Sequence, residues 1–122
     1  MGEFRLTESY YRLLDIIWRC EPMTLQSLVE HASHELGWKR TTVTTVLKKL
    51  CDTGYCRYDS KTVSSLVPRG SVEREDSAEI VKSRFGGSLP RFVTAFIEGN
   101  DLSDSEINEI LTLLNERRGG KS

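Results

Sequence analysis

The sequence predicts a mainly α fold carrying one small β-hairpin. Helical periodicity recurs along most of its 122 residues, with apolar side chains at i, i+3, i+4 and i+7. Two short β-prone runs, Tyr55–Tyr58 and Val63–Val67, flank the polar segment Asp59-Ser60-Lys61-Thr62 and read as a hairpin. Charge is unevenly spread. Between Lys39 and Lys61 six basic residues stand against Asp52 and Asp59, a local +4, whereas residues 1–38 sum to −3 and the remainder to −2. A positive stripe inside an acidic chain is the electrostatic footprint of a polyanion partner.

In the first helix Leu6, Tyr10, Leu13, Leu14, Ile17 and Trp18 form the apolar stripe, with Thr7 as the expected cap. Glu8 and Arg19 sit at the ends that suit the helix dipole. Cys20 ends this helix and Glu21-Pro22 breaks the chain. Thr24 is the expected cap of a second helix that buries Leu25, Leu28, Val29, Ala32 and Leu36, with Gly37 closing it. Trp38 reads as a core aromatic that pins the turn into the third helix and so aims it.

That third helix, within Trp38–Gly54, turns Val43, Val46, Leu47 and Leu50 inward and Thr41, Thr45 and Lys48 outward, flanked by Thr42, Thr44 and Lys49. Gly54 stands where a left-handed closing residue is wanted. Three short helices, a tight turn between the second and third, and a hairpin afterwards give the order of a winged helix-turn-helix. Exposed β-branched residues lower helix propensity and want a reason. Threonine offers a donor, an acceptor and a methyl group to base edges, and lysine offers charge to phosphate or guanine. The candidate DNA-binding residues are therefore Arg40, Thr41, Thr42, Thr44, Thr45, Lys48 and Lys49 on the helix, with Arg57 and Lys61 on the wing. Asp52, at the far end of the helix, is expected to face away. The plainer alternative is a basic, threonine-rich surface helix beside a hairpin that only covers the core.

Leu66-Val67-Pro68-Arg69-Gly70-Ser71 matches a thrombin-cleavage linker; lying mid-chain where a strand ends and a helix begins, it reads as native sequence. Pro68 is expected to stop the strand and Ser71 to cap the next helix, whose apolar side is Ala78, Val81 and Phe85 before Gly86-Gly87. Ser88 and Pro90 open an amphipathic segment carrying Leu89, Phe92, Val93, Phe96 and Ile97, and Gly99 ends it. Ser103-Asp104-Ser105-Glu106 is a capping box that starts a last helix with Ile107, Ile110, Leu111 and Leu114 as its stripe. Arg117-Arg118 and the Gly-Gly-Lys-Ser tail are expected to fray. These helices are too short to build a core alone, so Phe85 and the apolar residues of the last two helices are candidate dimerisation residues. The alternative is that they pack back on their own N-terminal unit. The organisation that follows is a winged-helix DNA-binding domain over 1–69, a helical dimerisation region over 70–118 and a disordered tail over 119–122.

Several function classes are disfavoured. No apolar run approaches the ~20 residues that span a bilayer and no signal peptide opens the chain, so a soluble cytoplasmic protein is expected. Cys20, Cys51 and Cys56 are odd in number and lack CxxC spacing, which argues against disulfides or a zinc site. His31 and His34 sit three apart without a third ligand nearby, so no metal is expected. No nucleophile–base pair, paired carboxylates or phosphate-cradling glycine loop is found, so neither an enzyme nor a cofactor is expected.

With that pattern laid out, the chain resembles the penicillinase-repressor (BlaI/MecI/CopY) family of winged-helix transcriptional regulators, from Leu6 to about Glu116. The residues that carry the resemblance are Leu6-Thr7-Glu8, Leu14 to Trp18, Trp38, Thr42 to Leu50, Gly54, Pro68, Phe85-Gly86-Gly87-Ser88, Phe96 and Leu102-Ser103. It implies a homodimer that represses transcription by occupying a palindromic operator in double-stranded DNA. It places Thr42 and Thr45, with Thr41, Thr44, Lys48 and Lys49, at the DNA surface and the C-terminal helices at the dimer interface. In the family's β-lactam branch a sensor-protease pathway leads to cleavage between an Asn and a Phe; the matching pair here is Ala95-Phe96. The copper branch carries a C-terminal cysteine cluster, and this chain has no cysteine after Cys56. The wing is about one residue shorter than the family's and lacks its tip glycine. A winged-helix module for protein association without DNA binding is the alternative function, because fold alone does not settle it.

Overall fold

The structure, a computed structural model, describes residues 6–120. Helices α1 (Glu8–Cys20), α2 (Leu25–Leu36) and α3 (Arg40–Asp52) are followed by the hairpin β2 (Cys56–Asp59) and β3 (Thr62–Ser65); a short strand β1 (Met23–Thr24) precedes α2. Then come α4 (Arg69–Arg84), α5 (Leu89–Gly99) and α6 (Asp104–Gly120). The chain divides into two compact units, residues 1–75 and 76–122, and the division falls inside α4. Residue 70, where the sequence reading places its boundary, lies in the first turn of that helix.

In the first unit the predicted stripes become the core. Leu13, Leu14 and Ile17 of α1, Leu28 and Ala32 of α2, and Val43, Val46, Leu47 and Leu50 of α3 are buried, as is Ile16, which the expected stripe of α1 omits. Thr7 occupies the N-cap position of α1 with extended backbone, yet its side chain makes no capping hydrogen bond. At α2 the prediction holds in full: the Thr24 side chain accepts from the Ser27 amide at 3.0 Å, and Gly37 ends the helix at φ 71. A side chain at Gly37 would be strained at that φ, so the residue shortens the turn into α3 at little cost. Half-buried Trp38 packs against the core, and its amide donates to the Ala32 carbonyl at 3.3 Å.

The sheet is three-stranded and antiparallel in the order β1-β3-β2. Strand β1 is absent from the sequence reading. Its two residues are too few for periodicity, and they become a strand only because Met23 pairs with Val63 and Thr24 with Thr62. The hairpin register pairs Cys56 with Ser65 and Asp59 with Thr62, leaving Ser60 and Lys61 as a two-residue turn. Both take positive φ, 53 and 65, the conformation that two-residue hairpin turns demand and that glycine or asparagine usually supplies. β3 spans Thr62–Ser65 rather than Val63–Val67: Leu66 still donates to the Tyr55 carbonyl at 2.8 Å across the hairpin, and the chain turns away at Val67. The Val67 carbonyl accepts from the Trp18 indole at 2.9 Å instead. The Glu21 carboxylate accepts from the Ser65 amide at 2.6 Å and its hydroxyl at 2.9 Å, tying the break after α1 to the end of β3.

α4 begins three residues earlier than expected, at Arg69 instead of Val72. Ser71 lies inside the first turn, its amide donating to the Pro68 carbonyl at 3.1 Å, so it does not cap the helix. Pro68 sets the start itself, its φ already helical and its carbonyl accepting the first bonds.

In the second unit Gly86 and Gly87 turn the chain at φ 60 and 80, and Ser88 caps α5 by accepting from the Arg91 amide at 3.2 Å. Phe85 and Phe92 meet edge to face at 5.2 Å. Both arms of the capping box form: Glu106 N to Ser103 Oγ at 3.0 Å and Ser103 N to Glu106 Oε1 at 3.1 Å. Fraying at Arg117-Arg118 is not found, since α6 runs through both to Gly120; residues 121 and 122 of the expected tail lie outside the described residues. No helix among the described residues is long and apolar enough to cross a membrane.

All three cysteines are free. Cys56 is 2% exposed, and desolvation, helped by neighbouring Cys51 and Glu21, pushes its thiol up to about 12. The thiolate is the reactive form, so Cys56 is expected to resist iodoacetamide at pH 8 in the native protein and to label fully in urea. Mass spectrometry of the alkylated peptides reads this; rapid native labelling would show that β2 opens.

Candidate nucleic-acid interface

One face of α3 is buried and the other is not. Opposite Val43, Val46, Leu47 and Leu50, the side chains of Thr41, Thr45 and Lys48 are exposed, as are Thr42 and Lys49 beside them. The helix starts at Arg40 after Lys39, whose side chain makes no capping bond, and its first turn holds no acid. Its N-terminal amides, at the positive end of the helix dipole, thus meet no carboxylate of the first turn. Arg40 reaches across to α2 and donates to Gln26 Oε1 at 3.2 Å, which links the two helices of the turn at the surface.

Thr44 and Lys48 of the predicted face are partly engaged. Half-buried Thr44 gives its hydroxyl proton to the Thr41 carbonyl at 3.1 Å. Lys48 pairs with Asp52 at 3.1 Å, one turn further along the helix. Asp52 therefore shares the Lys48 side of α3 instead of facing away. Both are well exposed, so solvent screens the pair and a competing phosphate can displace the carboxylate. On the wing, Arg57 lies 4.0 Å from Asp59 across a similarly exposed gap, and Lys61 stands at the turn. Tyr58, 46% exposed between Arg57 and Asp59, is missing from the candidate DNA-binding residues. It shares a strand face with buried Cys56, and alternation alone would have turned it inward. This assembly offers hydroxyls, ammonium groups, a guanidinium and a phenol on two consecutive elements. No catalytic arrangement is needed to explain it.

The C-terminal unit shows another kind of surface. Leu89, Val93, Phe96 and Ile97 of α5 and Ile107, Ile110, Leu111 and Leu114 of α6 are between 40% and 56% exposed in the single chain. Leu113, 64% exposed, lies off the Ile107, Ile110, Leu111 and Leu114 stripe and is a further exposed apolar residue of α6. Phe85 and Phe92 are half-buried by each other. The Ala95–Phe96 bond lies inside α5, and the Phe96 carbonyl accepts from the Asn100 side chain at 2.9 Å.

The family model described as penicillinase repressor matches residues 6–116. The chain belongs to the penicillinase repressor family. Among similar proteins is the methicillin resistance regulatory protein MecI of Staphylococcus aureus, 23% identical over 118 residues that cover 93% of this chain and 96% of MecI. The penicillinase repressor of Bacillus licheniformis is 23% identical over 122 residues, covering 96% of this chain and 94% of that protein. Such matches run through both compact units, so the winged-helix unit and the apolar C-terminal helices form one family unit of sequence.

Proposed function

We propose that this member of the penicillinase repressor family is a homodimeric, sequence-specific repressor of transcription that occupies a palindromic DNA operator in the bacterial cytoplasm. The observation that carries the reading is α3: four fully packed apolar residues on one side hold a solvent-facing row of hydroxyls and amines on the other. In such a reader the N-terminal turns of the helix lie in the major groove and the wing lies over the backbone. Thr41, Thr42 and Thr45 then meet base edges, Thr44 adds its methyl group, and Arg40, Lys48, Lys49, Arg57 and Lys61 neutralise phosphates. Phe85, Leu89, Phe92, Val93, Phe96, Ile97, Ile107, Ile110, Leu111 and Leu114 join two copies, which gives the symmetry that a palindrome requires. Separating the copies lifts repression. A sensor protease that cut at Ala95–Phe96 would do so by severing α5 through its apolar face.

The Lys48→Ala, Lys49→Ala double variant is expected to bind every duplex roughly 10 to 100 times more weakly, with a salt slope lower by about two, because each lysine lost returns about one counterion. Thr45→Ala is expected instead to relax base preference by about 1 kcal/mol or more at the position it meets, with little change on unrelated duplex. Mobility shifts against a salt series and a panel of base substitutions read both. Parent-like binding by the lysine variant, combined with loss of function on mutating Phe96, would favour a module for protein association instead.

A further inference from the structure

We infer that Tyr58 is a further contact of the wing with DNA, its phenol donating a hydrogen bond to a backbone phosphate. The hairpin register sets Tyr58 opposite Val63, on the sheet face that also carries Cys56. Val63 is fully buried and Cys56 is 2% exposed, whereas Tyr58 is 46% exposed. The core thus ends along β2 between Cys56 and Tyr58, and the ring stands past it in solvent. Arg57 and Asp59 alternate onto the opposite face, and Lys61 stands at the turn. Donors therefore surround the outer half of the hairpin: a guanidinium on one face, a phenol on the other and an ammonium group at the tip.

The turn is independent ground for treating this end of the wing as a working surface. Ser60 and Lys61 hold φ at 53 and 65, where a side chain is strained and glycine or asparagine is usual. A hairpin that only covered the core would lose nothing with glycine at both positions. Side chains kept at a strained tip are what a contacting surface requires. Charge alone serves that surface poorly. Well-exposed Asp59 lies 4.0 Å from Arg57, so it offsets one of the two cations and repels phosphate. A phenol O–H carries no charge for Asp59 to offset, and tyrosine hydroxyls are among the donors that hold proteins to the DNA backbone. The plainer role, a ring that shields Val63 from the side, needs the ring and has no use for the hydroxyl.

This inference rests on the reading of α3 and the wing as a DNA interface, and its test keeps the two apart. A duplex is selected by the parent protein from a randomised pool. Tyr58→Phe keeps the ring and removes only the hydroxyl. It is expected to bind that duplex about three to thirty times more weakly, with a melting temperature within about 3 °C of the parent. No cation is lost, so the slope of log affinity against log salt stays that of the parent, whereas Arg57→Ala lowers it by about one. Methylphosphonates, each replacing a charged phosphate oxygen by a methyl group, are then placed singly along the duplex. At the phosphate that Tyr58 meets, the loss from the methylphosphonate and the loss from Tyr58→Phe overlap; at the others they add. Parent-like affinity in Tyr58→Phe means that only the ring is used, and losses that add at every phosphate mean that the wing has merely loosened. Either result overturns the inference. If Arg57→Ala still weakens binding, the interface reading stands and Tyr58 alone leaves it. Failure of the parent to select any duplex overturns the interface reading and this inference with it.

Discussion

Placing glutamate at both Phe96 and Leu111 is expected to leave the protein monomeric and to weaken its hold on a two-fold symmetric operator by at least about a hundredfold. In the single chain these side chains are 47% and 51% exposed, and each stands on a helix face whose other apolar members are exposed as well. Covering such side chains contributes about 1.5–3 kcal/mol apiece, so a handful of them suffices to hold two copies together. A carboxylate in the same place has to be stripped of water without a partner, which reverses the sign of the contribution. Once the copies separate, the second half-site is no longer bound from a local concentration of order millimolar, and the gain of roughly 10²–10⁴ from linkage is lost. Sedimentation equilibrium reads the association and mobility shifts read the affinity. Neither residue belongs to the core of the winged unit, so its thermal unfolding should not move. A double variant that sediments like the parent would mean that these faces meet something other than a second copy.

Where the sequence was legible, the physics was local or periodic. The stripe Val43, Val46, Leu47 and Leu50 is buried without exception, and the capping box at Ser103 and Glu106 forms both of its bonds. Thr24 and Gly37 bound α2 as expected, since a cap and a left-handed residue act over one turn of chain. What was not legible depends on partners distant in sequence. Met23 and Thr24 become a strand only through Val63 and Thr62, and the chain leaves the hairpin after Leu66, where Trp18 takes the Val67 carbonyl. The contacts of Arg69 with Asp15 and Trp18 were not legible either, because nothing near it in the chain announces them. Thr7 shows the limit of a local rule: the right residue sits at the right position and its side chain makes no capping bond. Of the candidate interface, identity and exposure were readable. The engagement of Lys48 by Asp52 is an i, i+4 pair and so readable from spacing, but the expectation about Asp52 rested only on its place at the end of the helix.

The two faces of α3 should also separate in experiment. Leu50→Ala is expected to destabilise the protein by about 2–5 kcal/mol, because Leu50 is fully buried and the neighbouring helices can only partly close on the space left. Against a total stability of about 5–15 kcal/mol that is a large share. For a unit of this size it lowers the unfolding midpoint by about 10–30 °C. The Leu50 carbonyl also accepts from the Tyr55 amide at 2.9 Å, so the same position ties the end of α3 to the start of the hairpin. Thr45→Ala, one turn away and exposed, should shift stability by no more than about 0.5 kcal/mol while changing base preference. Calorimetry or circular dichroism on the two variants, with mobility shifts taken well below each transition, makes the comparison. If α3 is a rod held from behind and read from in front, Leu50→Ala binds DNA normally when cold and fails on warming. Thr45→Ala stays folded and misreads at every temperature. A Leu50→Ala protein that melts within a few degrees of the parent would mean that the core does not hold this helix, and the chemistry of its outer face would then have no fixed direction.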